Sequence, residues 1–389
     1  MIYGIISEFN PFHNGHKWLI DRVKSEHNAV IAVMSSSFVQ RGDVSIISKA
    51  DKTKAALING IDLVIELPAV YSLSNAEGFA KTATDIIKAT GITDNLLFGS
   101  ECGNVDLLNR AITALDDARV QDKIKEYMGK GEYYPRAVYN SVKEFYSEEI
   151  LKIYEGANNI LGIEYMKAIK GSNITPVTFK RKGSGHDSSN PTENIASGSY
   201  IRNNYSDKEL YTPDYPITST ANIENIDKLF TYRLLSMTGT ELKKYYDVEE
   251  GIENRILSCA GNNNSFIELC ESIKTKRYTM ARIRRILCCA LLGITKEIKE
   301  IPVPYIRVLG FTDKGRELLT EMKAKATLPI ITNVKDGYDR LDDKGKKIMD
   351  IELLATEIWN LARDYNSDKE NKLKNDFQQQ IINVNYLKK

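Results

Sequence analysis

The sequence predicts an α/β protein whose first part is a doubly wound parallel sheet and whose second part is mostly helical. Three observations carry this. Short runs that are apolar throughout, at residues 2–7, 29–34, 62–67, 95–99 and 174–180, alternate with helical patterns. Strands that are apolar on both faces and separated by helices belong to a parallel sheet covered on both sides. Beyond about residue 207 this alternation gives way to successive helical periods. At 389 residues the chain exceeds one compact core. The change of pattern places a domain boundary between residues 1–206 and 207–389.

Helices are expected at 16–25, 49–59, 75–90, 105–117, 135–146 and 161–170, with another opening at 199–203. The Gly- and Ser-rich stretch 182–191 reads as a loop able to act as a lid. Helical patterns follow at 226–238, 239–246, 252–260, 265–273 and 280–292, then a small strand–helix–strand unit at 302–309, 313–324 and 329–332. A long helix is expected at 348–364, and the polar stretch 368–389 reads as a fraying end.

Composition excludes several classes. Net charge is +1, so no global field recruits nucleic acid or membrane, and any such contact needs a local patch. The five cysteines form no Cys-x-x-Cys pair, which argues against a disulfide framework and a structural zinc and for reduced thiols in the cytoplasm. Residues 1–6 lack a basic leader and read as a buried strand. No run approaches the ~18 apolar residues a membrane span needs.

Two of the four histidines lie in His13-Asn14-Gly15-His16, directly after the first strand and at the start of a helix. In open parallel sheets ligands sit at the carboxyl ends of strands. Residues three apart on a helical turn face the same way, so both rings can reach one object. Gly15 lets a ligand approach the backbone, and a helix N-terminus favours phosphate. Imidazole N–H groups aimed at phosphate oxygens stabilise charge that develops on attack at the α-phosphate. A second motif, Ile195-Ala196-Ser197-Gly198-Ser199-Tyr200-Ile201-Arg202, follows the fifth strand. Ser197 or Ser199 can cap the new helix and still offer a hydroxyl to phosphate, and Arg202 one turn on can hold the β- and γ-phosphates. The catalytic candidates are thus His13, His16 and Arg202.

This pair of motifs resembles the signature of the H-x-G-H nucleotidyltransferase superfamily, with its Rossmann-like fold. The absence of a Lys-Met-Ser-Lys-Ser stretch disfavours an aminoacyl-tRNA synthetase. The run Gly4-Ile5-Ile6-Ser7-Glu8-Phe9-Asn10-Pro11-Phe12-His13-Asn14-Gly15-His16 is similar in particular to bacterial tRNA(Met) cytidine acetate ligases. So are Gln40-Arg41-Gly42-Asp43, Asp62-Leu63-Val64-Ile65-Glu66-Leu67-Pro68, Phe98-Gly99-Ser100-Glu101, Asn158-Asn159-Ile160-Leu161-Gly162 and Lys274-Thr275-Lys276-Arg277-Tyr278-Thr279. The resemblance runs in order along nearly the whole chain.

It implies that ATP activates acetate as acetyl-adenylate and that the acetyl group passes to N4 of the wobble cytidine of elongator tRNA(Met). Mg²⁺ is expected on the phosphates, and no protein partner is expected. It also implies a nucleotide loop running through Ile6, Ser7, Glu8, Phe9, Asn10, Pro11, Phe12, His13, Asn14, Gly15, His16, Lys17, Trp18 and Leu19. Gly99, Asn159, Arg181, Ser197 and Ser199 complete the nucleotide contacts. No role is assigned to Arg41, Lys182 or His186. Two other readings share these motifs: a nucleotidyltransferase acting on a small metabolite, and a non-catalytic tRNA-binding protein.

Residues 274–285 carry six Lys or Arg and no acid. Lys274, Lys276, Arg277, Arg282 and Arg285 are the nucleic-acid candidates, since such a patch fits RNA phosphates. Cys288 and Cys289 are expected in the core and Glu66 near a strand end.

Overall fold

The computed structural model describes residues 1–182, 191, 194–249, 251–263, 265–364 and 375–386. Among these residues ten strands form in chain order: β1 (Ile2–Ser7), β2 (Ala29–Ser35), β3 (Phe38–Val39), β4 (Asp43–Val44), β5 (Leu63–Leu67), β6 (Asn95–Ser100), β7 (Thr175–Lys180), β8 (Ile306–Phe311), β9 (Ile330–Ile331) and β10 (Ile382–Asn383). The main sheet runs β10-β8-β5-β2-β1-β6-β7, with β9 against β8, and β3 and β4 make a separate hairpin. The five expected strands are β1, β2, β5, β6 and β7, all mutually parallel. Numbered by appearance, they lie in the order 3-2-1-4-5. This doubly wound order reverses between β1 and β6, and a crevice opens there at the strands' carboxyl ends.

Burial explains the strand sequences. β2 and β5 sit mid-sheet and are buried at every position, as their unbroken apolar runs require. One face packs on helices Ala76–Ala89 and Ala157–Ile169, the other on Asn14–Asp21 and Lys49–Ile58. The helices have ordinary caps: Ser48, Asn75, Asn104 and Thr279 each accept a backbone N–H at their helix start.

Three features depart from expectation. Helix Ala118–Gly129 has no counterpart among the expected helices. The strand–helix–strand unit does not stand apart with the C-terminal helices: β8 joins the main sheet antiparallel to β5, Leu63 opposite Phe311. The residues after 207 therefore supply both a helical group and one edge of the sheet, so the sheet draws strands from both sides of the 206/207 boundary. The described part of the C-terminal stretch, 375–386, is also held in place. Ile382 pairs with Gly310 in β10–β8, and Asp376 is buried among charges.

That charge cluster sits beside the carboxyl end of β5. Lys49 Nζ lies 2.9 Å from carboxylate oxygens of Glu66, Glu352 and Asp376. Arg307 reaches Glu66 at 2.9 Å and Asp376 at 2.7 Å. Three carboxyls face two cations here; burial and the neighbouring Glu66 push Glu352 up to about 7. Glu66 is thus a structural residue. Cys288 and Cys289 are fully buried, as expected.

Candidate nucleotide site

The loop after β1 and the helix Asn14–Asp21 bring the two histidines together. His13 is the N-cap: its Nδ1 accepts from Gly15 N at 3.1 Å. His16 reciprocates, its Nδ1 accepting from His13 N at 3.2 Å. This is a capping box in which imidazoles replace the usual hydroxyl and carboxylate. The rings stack with centroids 3.7 Å apart and planes at 20°. Each Nδ1 accepts a backbone N–H and so is unprotonated; in a neutral ring the proton then sits on Nε2. His16 Nε2 lies 3.4 Å from Ser7 Oγ. Burial, reinforced by Arg181 and Arg202, lowers His13 to about 3, and burial and His13 hold His16 well below its usual range. Both rings therefore act near neutral pH as uncharged Nε2–H donors.

An unfolded His13 protonates near 6.5 but the folded one only near 3, so the unfolded chain binds the extra proton between these values. The stability at stake is complete above about pH 6.5 and is lost as pH falls toward 3. Urea midpoints should decline as pH drops from 6.5 to 5, and less steeply in His13→Asn. A midpoint independent of pH over that interval would contradict the buried neutral ring.

The second motif closes over the first. Ser197 caps helix Gly198–Asn203, its Oγ accepting from Tyr200 N at 3.2 Å. Arg202 donates to Asn10 O at 2.6 Å and to Ser199 Oγ at 3.2 Å. Asn14 adds a bond from Nδ2 to Asn194 O at 2.8 Å. The two motifs, some 180 residues apart in the chain, thus form one wall. Burial lowers Arg202, opposed by Glu8 and Asp43.

A cleft at this wall is lined by Gly15, His16, Trp18, Gly99, Arg181 and Ser197, with Leu19, Lys182, Ile195 and Ala196 completing it. A Cβ on Gly99 would meet Arg181 Cγ at 3.1 Å, so this strand end has no room for a side chain. Of the catalytic candidates only His16 is among the lining residues: His13 is buried, and Arg202 and Ser199 bond to each other and, through Arg202, to Asn10 O rather than lining the cleft. Other residues of the expected nucleotide loop do not face the cleft. Ile6, Phe9, Pro11 and Phe12 are buried beneath it, and Lys17 pairs with Asp21 at 3.0 Å on the outer face of the helix. Glu8 accepts from Gln40 N at 2.6 Å. Asn159 does not line the cleft either: its Oδ1 accepts from Cys102 N at 3.1 Å and fixes the turn after β6. Glu101 and Asn158, given no role from sequence, orient Arg181. Glu101 Oε1 accepts from Asn158 Nδ2 at 2.7 Å, and Asn158 Oδ1 accepts from Arg181 at 3.3 Å. Their presence in two of the family-like segments is the signal that could have found them. Lys182 lines the cleft, whereas His186 and positions 183–190 of the expected lid lie outside the described residues.

The basic candidates lie elsewhere. Arg277, Arg282 and Arg285 line a cleft of about 750 Å³ shared with Tyr133, Tyr134 and Lys167. Arg282 and Arg285 also pair with Asp247 at 3.0 and 3.1 Å, and Arg282 stacks on Tyr278 at 4.6 Å. These two arginines are fixed in orientation rather than freely solvated as the run of charges suggests. Lys274 and Lys276 are exposed beside them, and so is Arg41 at the β3–β4 turn.

A doubly wound sheet with stacked neutral imidazoles at its switch point and a serine–arginine motif packed against them defines a HIGH-type nucleotidyltransferase. A family model described as HIGH Nucleotidyl Transferase matches residues 1–375. The chain is 40% identical over 385 residues to the tRNA(Met) cytidine acetate ligase of Thermoanaerobacter sp. (strain X514), covering 93% of this chain and 95% of that one. It is 35% identical over 413 residues to that of Acetivibrio thermocellus, covering 98% and 99%. The crystal structure of Thermotoga maritima TmcAL bound with alpha-thio ATP superposes with a TM-score of 0.87 at 29% identity, covering 98% of this chain and 99% of that one. The chain belongs to the tRNA(Met) cytidine acetate ligase family of HIGH nucleotidyltransferases.

Proposed function

We propose that this protein activates acetate with ATP and transfers the acetyl group to N4 of the wobble cytidine of elongator tRNA(Met). The observation that carries the proposal is the closure of the Ser197–Arg202 motif over the paired imidazoles, with Arg202 bonded to Asn10 O at 2.6 Å. Family membership supports it, as does the alpha-thio ATP bound to the similar Thermotoga maritima protein.

Acetate is a poor electrophile until its oxygen is joined to a good leaving group. A carboxylate oxygen attacks the α-phosphorus, the bond to the bridging oxygen breaks, and pyrophosphate departs. The Nε2–H groups of His13 and His16 and the Arg202 guanidinium stabilise the charge that grows on the phosphate oxygens. The cytidine amine then attacks the acetyl carbonyl and AMP leaves. Mg²⁺ accompanying ATP would ride on the phosphates and share their charge. An anticodon-loop base is single-stranded and can be splayed without opening a duplex. The cleft carrying Arg277, Arg282, Arg285, Tyr133 and Tyr134 joins guanidiniums to aromatic faces, the combination that holds unpaired nucleotides.

Replacing both Arg282 and Arg285 by alanine should weaken tRNA binding and flatten its salt dependence while leaving ATP–pyrophosphate exchange intact. Equal loss of both activities would mean a folding defect. For the function itself, tRNA(Met) nucleosides are compared by mass spectrometry with and without the gene. Loss of N4-acetylcytidine is expected; an unchanged nucleoside profile rejects the reading.

A further inference from the structure

The β3–β4 hairpin touches both halves of the proposed machinery. Toward the nucleotide loop, Gln40 N donates to Glu8 Oε1 at 2.6 Å, and Ile46 N, just past β4, donates to Asn10 Oδ1 at 2.7 Å. Asn10 is the residue whose carbonyl receives Arg202. Toward the basic helix Met280–Leu292, Arg284 donates to Gly42 O at 3.2 Å and to Asp43 Oδ2 at 2.7 Å. Gly42 has φ +76°, and a Cβ there would lie 2.4 Å from Arg284 C and Arg285 N. The turn is therefore pressed directly on the backbone of the helix that bears Arg282 and Arg285. Behind the hairpin, Trp359 Nε1 donates to Ser45 O at 2.6 Å.

A hydrogen-bonded route thus runs from Arg202 through Asn10 and the hairpin to Arg284. Asp43 also acts on Arg202 through space: with Glu8 it is one of the two carboxylates opposing the cost of burying that guanidinium. Asp43 is half-buried, its side chain 31% exposed, and desolvation raises its carboxyl against the pull of Arg284 and Arg202.

We infer that the β3–β4 hairpin couples the basic helix to the triphosphate grip, with Asp43 as a positioning residue that holds Arg202 in register with docked tRNA. This rests on reading Arg202 as a phosphate ligand and the basic helix as an RNA contact. Occupation of the flanking arginines would bias Arg284, and Arg284 would pass that bias to Asp43 and Gly42.

The test uses the full-length enzyme and three variants: Asp43→Asn, Gly42→Ala, and the charge swap Asp43→Arg with Arg284→Asp. Melting temperature, affinity for a non-hydrolysable ATP analogue, and kcat and KM for acetate-dependent pyrophosphate release with tRNA are measured on each. Misplacing a phosphate ligand by about 1 Å can cost up to ~10²-fold in rate. Asp43→Asn and Gly42→Ala are expected to lower kcat by about 10- to 100-fold. The charge swap is expected to recover melting temperature but not kcat, because an arginine at position 43 would repel Arg202 through space where Asp43 favours its charge. Recovery of kcat by the swap would reduce the pair to a structural clamp and overturn the inference, as would wild-type kcat in both Asp43→Asn and Gly42→Ala. Should Asp43→Asn fail to fold, Gly42→Ala alone decides by the same kcat criterion. Wild-type enzyme that releases no pyrophosphate would reject the proposed function instead. The coupling would then stand or fall on whether Asp43→Asn weakens binding of the ATP analogue.

Discussion

Replacing His16 by asparagine should slow acetate-dependent ATP–pyrophosphate exchange by about 10²- to 10³-fold, the usual cost of removing one preorganised donor to developing charge. Asparagine can keep an acceptor where Nδ1 now takes the His13 N–H at 3.2 Å, so the helix start survives. What disappears is the Nε2–H that lies beside Ser7 Oγ. Melting temperature should therefore barely move while kcat collapses. His13→Asn should behave alike, and the double variant should lose less than the product of the two, because the stacked rings act as a unit. Between pH 6 and 8 the wild-type rate should show no limb from either ring, since burial keeps both neutral throughout. An acid limb near pH 6.5 that vanishes in His13→Asn would show a titrating imidazole and refute this picture.

Replacing Lys49 by methionine should give the largest stability loss of any single change outside the apolar core. Its ammonium satisfies Glu66, Glu352 and Asp376 at once, at 7% side-chain exposure. Its loss leaves Glu352 without its cation and Glu66 and Asp376 with Arg307 alone, and breaking a buried ionic cluster in this way costs about 3–5 kcal/mol. Urea unfolding at pH 7.5 measures it. Lys17→Ala, which breaks an exposed pair with Asp21, should change stability by no more than about 1 kcal/mol and serves as the control. Comparable effects from the two substitutions would mean the cluster is solvated and the C-terminal segment holding Asp376 is loosely docked.

The parallel half of the sheet was legible because β2, β5, most of β6 and the centre of β1 are buried on both faces, which writes apolar runs into the chain; β7, at the sheet edge, has no fully buried position and shows only as Val177 and Phe179 alternating with polar residues. The position of His13 and His16 followed from the strand before them and the helix after. The reciprocal cap was not legible, because imidazole is not an ordinary capping residue and only coordinates reveal which nitrogen faces inward. Pairing of β8 with β5 escaped for a different reason: Ile306–Phe311 looks the same whether it starts a new unit or extends an old sheet. Asp376 lies in a polar stretch that reads as solvated, and its burial depends on Lys49 and Arg307, respectively 327 and 69 residues away. Arg282 and Arg285 looked like free cations because Asp247, which binds both, lies outside the basic run. Local pattern recorded most of the elements and the positions of the two motifs; long-range charge pairing was written nowhere in it.

The proposed function requires that two neutral imidazoles and Arg202 grip one triphosphate at the mouth of the sheet. A crystal structure of this protein with a non-hydrolysable ATP analogue tests it most directly. Phosphate oxygens are expected within hydrogen-bonding distance of Nε2 of His13 or His16 and of the Arg202 guanidinium, with the adenosine beside Gly99. A nucleotide bound away from these rings, or held with both Nε2 atoms facing no phosphate, would contradict it.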